Sequence, residues 1–172
     1  MEERDMILTV ASKEDVKDIY DLMQRVYDCL EDKTLFVLDS LEYVNAQITK
    51  EGFAVIARNK DETIVGAFIF RYPHMEEDNL GRDIQLEDEQ LRRVVHMESA
   101  VVLPEYRGGG LQSKMLQYAE GLIDKNRYKY FMATVSPDNP ASYKSLEKNG
   151  YQYMITKEKY HGKMRRIYLK EV

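Results

Sequence analysis

The 172-residue sequence has one cysteine, no tryptophan, four prolines and no long apolar run. Because the single cysteine, Cys29, cannot form a disulfide within the chain, we expect a reducing compartment. No stretch approaches the ~20 apolar residues of a membrane-spanning helix. The first residues, MEERDM, lack both the cationic end and the apolar run of a signal peptide. These absences predict a cytoplasmic protein.

The sequence is mildly acidic overall. Thirty acidic and 25 basic residues give a net charge of −5, and no basic cluster stands out. This balance argues against partners that are nucleic acids or anionic membranes. The three histidines, His74, His96 and His161, are too scattered to predict a metal site. Without a repeat or linker, we predict that residues 1–172 form one domain.

The most informative stretch runs from residue 94 to residue 127. Its apolar beginning, VVHMESAVVL, predicts a strand that is buried on both faces and ends before Pro104, which cannot donate to a strand ladder. Three glycines follow at residues 108–110. Apolar residues then recur at helical spacing and predict a helix that starts after the glycines: Leu111, Met115, Ala119 and Leu122.

The glycines would leave the backbone open where a helix begins, and a helix N-terminus attracts anions. We therefore expect a bound phosphate, with Arg107 and Lys114 adding positive charge. A glycine-rich strand-to-helix turn without a ligand is the alternative. The loop matches neither GxxxxGK[ST] nor GxGxxG, the two common phosphate-binding patterns.

Two motifs resemble those of the GNAT acetyltransferases. Arg107 and Gly110 match the family's motif A, [QR]-x-x-G-x-[GA], whereas Gln112 stands where the family usually has Gly or Ala. The sequence NPASYKSLEKNGY, residues 139–151, resembles motif B. Asn139 is a good helix N-cap and Gly150 a good helix end, as that motif requires. The two motifs occur in the family's order, and the resemblance covers nearly the whole chain.

The resemblance implies an α/β fold of the GNAT type. Such a fold has a central mixed, mostly antiparallel sheet of six to seven strands, helices on both faces and a splayed pair of parallel strands, here residues 94–103 and 130–136. The sequence also predicts a strand at residues 6–10, helices starting near Ser12 and Ser40, and a closing hairpin at residues 151–169. Residues 73–93, which are acidic, predict a solvated flap with one short helix at residues 87–92; a wall of the acceptor site is the alternative.

The function that the resemblance implies is direct transfer of an acetyl group from acetyl-CoA, the cosubstrate, to a primary amine. Acidic segments favour a cationic amine, either a small molecule or a peptide or protein amine. The resemblance also allows a homodimer. The alternative is a non-catalytic acyl-CoA-binding sensor or regulatory domain. The implied cofactor contacts are Val101, Val102, Leu103, Arg107, Gly108, Gly109, Gly110, Leu111, Gln112, Asn139, Ser142 and Tyr143.

Catalysis would require removal of a proton, because a primary ammonium with a pKa near ~10.4 has no lone pair for attack. The resemblance makes Glu98 the candidate base, with an edge-exposed or structurally paired carboxylate as the alternative; His96 is a weaker candidate. The family's usual proton donor, a motif B tyrosine, is replaced by Leu146. Tyr143 lies three residues earlier on roughly the same helix face and is the remaining candidate donor, with packing or cofactor contact as the alternative.

Overall fold

A computed structural model describes residues 5–172 of the chain. Within these residues, seven strands form one sheet of order β1-β2-β3-β4-β5-β7-β6. The strands are β1 Ile7–Val10, β2 Gly52–Arg58, β3 Ile64–Arg71, β4 Val94–Val102, β5 Tyr130–Val135, β6 Gln152–Lys159 and β7 Lys163–Glu171. The α-helices are α1 Val16–Asp28, α2 Leu41–Ala46, α3 Asp88–Leu91, α4 Leu111–Leu122 and α5 Pro140–Lys148.

The sheet is mixed. β4 and β5 are parallel, with Val94 opposite Tyr130 and Met97 opposite Ala133. β1 pairs with β2, β5 with β7 and β6 with β7 in antiparallel fashion. Helix α4 lies between β4 and β5 in the chain, as a parallel connection requires. The predicted fold class is confirmed, and its parallel pair falls on the predicted strands; the splay of that pair stays a prediction.

The chain packs as two compact units. The first contains the described residues up to 70 together with Ser99–Leu122, and the second contains Arg71–Glu98 together with Ile123–Val172. The division falls within β4, so the prediction of a single domain over residues 1–172 stays a prediction.

In the first unit, helix α4 packs closely on β3. A Cβ at Gly66 would lie 3.2 Å from Met115 Cε and 3.3 Å from Leu111 Cδ2. The absent side chain therefore lets the N-terminal half of α4 approach the strand. Beside this contact, Phe70 stacks on Phe68 with ring centroids 4.6 Å apart. Close packing of this kind fixes the start of α4 relative to β3.

The second unit has its own core of apolar side chains from both of its segments. They are Leu80, Val94, Met132, Ile167 and Leu169, with Ile84, Leu86, Tyr130 and Ile155 packed around them. Burying each large aliphatic side chain contributes about 1.5–3 kcal/mol. Leu80 lies in residues 73–93, so that segment is part of this core.

The starts of α2 and α5 agree with the predicted caps. Ser12 instead precedes a 3₁₀ helix, Lys13–Asp15, and α1 begins after it. One predicted helix face is wrong. Ser40 Oγ accepts a hydrogen bond from Tyr43 N at 3.2 Å, and Asn139 Oδ1 accepts one from Ser142 N at 3.3 Å. The predicted apolar face of α4 included Leu122, but that side chain is 51% exposed. Leu116 and Ile123 are buried instead. Near its C-terminal end, the buried face of α4 is therefore rotated relative to the predicted face.

Residues 73–93 keep most of their acidic side chains exposed, as predicted, but buried residues anchor the segment, so it is not a flap. The side chain of Asn79, 1% exposed, donates to the carbonyls of His74 at 2.7 Å and Leu91 at 3.0 Å and accepts from Gly81 N at 2.8 Å. A 3₁₀ helix spans Leu80–Ile84, and α3 confirms the predicted short helix. The anchoring residues are few among many acids, which is why composition alone missed them.

Among residues 5–172, no helix combines the length and the apolar character that crossing a membrane requires.

Candidate active site

The glycine loop between β4 and α4 is open. Gly108 and Gly110 have φ angles of +85° and +78°, which side chains rarely adopt. A Cβ placed on Gly108, Gly109 or Gly110 would meet nothing within 4 Å. The glycines therefore serve the backbone conformation and leave room beside it. Space next to a main chain at a helix N-terminus is what an anionic group needs for contact with N–H donors.

Contacts within the first unit hold the two ends of this loop. Leu103 N donates to Val65 O at 2.9 Å, and Arg107 Nε donates to Val102 O at 3.0 Å. At the other end, Lys114 N donates to Gly110 O at 3.0 Å, so the first helical hydrogen bond starts at the last glycine. The predicted phosphate loop is thus a short segment fixed at both ends, with part of the Arg107 guanidinium committed to the backbone.

Glu98, the predicted base, lies in a polar cluster of the second unit. Its Oε2 is 3.5 Å from Arg71 Nε and 3.3 Å from His96 Nδ1. Arg71 also donates from Nη2 to Asp78 Oδ2 at 2.6 Å. The side chains of Arg71 and His96 are each 4% exposed, whereas those of Glu98 and Asp78 are 18% and 56% exposed. Glu98 is therefore a paired carboxylate at the partly open end of a buried cluster.

The contacts of His96 define its tautomer. Leu80 N, which can only donate, lies 3.0 Å from His96 Nε2, so Nε2 must be the accepting nitrogen. The proton of the neutral ring is then on Nδ1, where it is donated to Glu98. The approach of Arg71 Nη2 to Nδ1, at 3.3 Å, is consequently not a hydrogen bond in this state. His96 acts as a fixed donor.

These partners set the protonation state of Glu98. Burial alone would raise the pKa of its carboxyl, but the hydrogen bond from His96 and the nearby charge of Arg71 outweigh burial and lower it. Glu98 is therefore ionised at neutral pH. A carboxylate with a lowered pKa stays ionised and holds a proton weakly.

Tyr143, the predicted proton donor, is engaged elsewhere in the second unit. The guanidinium carbon of Arg166 lies 4.3 Å from the centroid of the Tyr143 ring, a cation–π contact. Leu146, at the position of the family's usual tyrosine, is 5% exposed and belongs to the packing of α5. These contacts favour packing for Tyr143, and its role as a donor stays a prediction.

Sequence patterns marked neither Arg71 nor Tyr160. Arg71 ends β3, and nothing nearby in sequence marks it as the partner of Glu98. Tyr160 has a φ of +50° in the turn between β6 and β7, and its hydroxyl lies 3.1 Å from Thr134 Oγ1 on β5. Positive φ at a non-glycine residue is uncommon, and its cause here is invisible in the sequence.

The comparisons with known proteins agree with this geometry. Residues 16–151 match the family model described as "Acetyltransferase (GNAT) family". No match was found among curated proteins. Among solved structures, a GNAT-family acetyltransferase from Streptococcus pneumoniae is 17% identical with a TM-score of 0.72, covering 98% of this chain and 100% of that one.

Two further structures are similar. A ribosomal-protein-alanine N-acetyltransferase from Brucella melitensis is 15% identical with a TM-score of 0.73, covering 96% of this chain and 99% of that chain. A protein from Salmonella typhimurium, solved with its cofactor acetyl-CoA, is 13% identical with a TM-score of 0.67, covering 97% of this chain and 94% of that chain. Identities this low establish the fold alone. The family model spans most of the sequence, and this chain therefore belongs to the GNAT acetyltransferase family.

Proposed function

We propose that this protein transfers the acetyl group of acetyl-CoA directly to a primary amine. The observation that carries the proposal is the open glycine loop at the start of α4, where three Cβ positions face empty space. Val101, Val102 and Leu103 would offer main-chain groups to the pantetheine arm, and residues 107–112 would hold the pyrophosphate. Asn139 and Ser142 would contact the pantetheine region.

The cosubstrate supplies an activated thioester, and the protein must manage the proton of the amine. A primary ammonium is only about one part in a thousand neutral at pH 7. Because the pKa of Glu98 is lowered, this carboxylate cannot keep the proton that the amine loses. We infer that Glu98 attracts the ammonium and orients the water that carries the proton away. The nitrogen–carbon bond then forms as the carbon–sulfur bond breaks, and the thiolate takes up a proton from solvent.

Binding of acetyl-CoA can be tested by thermal unfolding. A ligand at a hundred times its dissociation constant stabilises by about 2.7 kcal/mol, or roughly 5–10 °C for a chain of this size. Gly109→Ala would place a methyl group in the open loop and should reduce this shift. Gly121→Ala is the matched control, because its Cβ also meets nothing within 4 Å but lies near the other end of α4. Equal shifts in the two variants would exclude the loop as the binding site.

A second function, acyl-CoA binding without turnover, is favoured by two observations. Leu146 occupies the position of the usual proton donor, and Tyr143 contacts Arg166. Steady-state assays with a panel of amines separate the two functions. Turnover that falls in Glu98→Gln while the acetyl-CoA shift is kept supports the transferase. A full acetyl-CoA shift without turnover of any amine supports the sensor.

A further inference from the structure

One face of the β6–β7 hairpin carries four cations in register. Lys157 lies opposite Arg165, and Lys159 lies opposite Lys163. Alternate residues of a strand share a face, so both pairs point to the same side of the sheet. Like charges directly opposite each other destabilise an antiparallel pair. Two such pairs in succession should destabilise the hairpin, and packing alone does not explain why they are present.

The acidic segment contributes one carboxylate to this face. Asp83 lies 2.5 Å from Lys159 Nζ and 3.5 Å from Lys157 Nζ, and its side chain is 14% exposed. One carboxylate is thus shared by two ammonium groups. Arg165 is 5% exposed and donates from Nη1 to Met164 O at 3.0 Å, and Lys163 is partly exposed at the start of β7. Three lysine ammonium groups therefore share this part of the hairpin face with one carboxylate.

The cations share their side of the second unit with Glu98. Two residues after Arg165, Ile167 packs in the core with Leu80 and Val94. Alternation along β4 places Val94, His96 and Glu98 on one face, and His96 contacts Leu80 on that side. The paired carboxylate of Glu98 and the cationic hairpin therefore lie along the same face.

We propose that the cationic hairpin face, formed by Lys157, Lys159, Lys163 and Arg165, binds an anionic group of the acceptor amine, a carboxylate or a phosphate. An acceptor with both charges would place its ammonium toward Glu98 and its anion toward the hairpin. Binding of the anion would relieve the repulsion between the opposed cations. This inference rests on the proposed acetyl transfer and narrows its substrate class.

The proposal also narrows the expectation of a cationic acceptor. That expectation depended in part on the acids of residues 73–93. Two of these acids are already paired within the protein, Asp78 with Arg71 and Asp83 with two lysines. Their charge is therefore not free to select a polycation.

A series of amines with equal chain length tests the selectivity. The probes are pentylamine, 1,5-diaminopentane and 5-aminopentanoate, with 3-aminopropyl phosphate to separate phosphate from carboxylate recognition. We expect kcat/KM for an anionic amine to exceed that for pentylamine by roughly tenfold, the effect of one charged hydrogen bond. Lys163→Gln should remove most of this preference, and Lys125→Gln, at an exposed loop position, should retain it. Preference for the diamine, or a preference unchanged in Lys163→Gln, would overturn the proposal.

A binding measurement decides the question even if none of these amines is turned over. Inorganic phosphate is added at constant ionic strength to protein saturated with CoA, so that the glycine loop is already filled. We expect phosphate to raise the melting temperature above that measured in chloride. This rise should be at least halved in Lys163→Gln and unchanged in Lys125→Gln. No phosphate-specific rise would overturn the proposal. Failure of the proposed function would be a separate result, in which acetyl-CoA itself does not raise the melting temperature.

Discussion

Replacing Arg71 by methionine tests how the candidate site is held together. The Arg71 side chain is 4% exposed and contacts Glu98 and Asp78. Methionine keeps much of the apolar volume and removes the positive charge. Glu98 would then remain largely buried with His96 as its hydrogen-bond donor but without the neighbouring cation.

The contacts of Arg71 with Glu98 and with Asp78 should contribute unequally to the free energy of unfolding that Arg71→Met loses. Breaking a buried ion pair by removing one partner costs about 3–5 kcal/mol. The Glu98 side chain keeps 18% exposure and lies 3.5 Å away, so we expect the lower end, about 3 kcal/mol. Asp78 is 56% exposed, and its pair should contribute under ~1 kcal/mol. Asp78→Asn is therefore the matched control with a small effect.

The stability loss in Arg71→Met should depend on pH through the ionisation of Glu98. The pKa of Glu98 is below its ordinary value, so its ionised form stabilises the fold at neutral pH, and this contribution is lost as the pH falls through the folded pKa. Without Arg71, burial dominates more and the pKa of Glu98 should rise. The difference in unfolding free energy between wild type and Arg71→Met should thus be largest near pH 7 and shrink below about pH 4.

Urea unfolding at pH 7 and at pH 3.5 measures these quantities. The double variant Arg71→Met/Glu98→Gln supplies the decisive comparison, because it removes the buried charge that the single variant leaves without its cation. We expect it to be more stable than Arg71→Met at pH 7. If it is no more stable, or if the loss in Arg71→Met is equal at both pH values, the electrostatic explanation of this cluster is wrong.

Three other predictions concern anchoring, capping and the proton. Asn79→Ala leaves three backbone groups without their partner and should lower the free energy of unfolding in urea by about 3 kcal/mol. Asn126→Ala, at an exposed position, should lower it by less than ~0.5 kcal/mol. Equal losses in the two variants would show that the Asn79 side chain does not anchor this segment. Lys33 Nζ donates to three carbonyls near the end of α1, at 2.8, 3.0 and 3.1 Å, so Lys33→Met should cost roughly 1 kcal/mol, and no loss would show these exposed contacts to be inert. The kcat/KM for a primary amine should rise about tenfold per pH unit from pH 6 to 8.5, because the amine must lose a proton while Glu98 is already ionised. If the pH profile shows an inflection in that range, and Glu98→Gln abolishes it, the pKa of Glu98 is not lowered.

Features that depend on near neighbours in the chain could be predicted. Ser40 and Asn139 cap their helices through donors three residues ahead. Gly110 adopts a conformation that favours glycine and starts a helix whose periodicity is visible in sequence. The order of strands and helices follows from such local patterns, so the fold class was predictable.

Features that depend on distant partners could not be predicted. Glu98 was a credible base in isolation, but its protonation state is set by Arg71, 27 positions earlier, and by a histidine fixed through Leu80. Residues 73–93 appeared solvated because the anchoring of Asn79 is not visible in their composition. The exposed Leu122 shows the same limit at the end of a helix.

The sequence by itself therefore determined the elements, their caps and the glycine loop, because backbone conformation and helical spacing act over a few residues. The tertiary structure decided which charges meet. Asp83 reaches Lys159 across 76 positions, and the register of β6 and β7 brings Lys157, Lys159, Lys163 and Arg165 onto one face. Charges interact through distances in space, and only the packed sheet sets those distances.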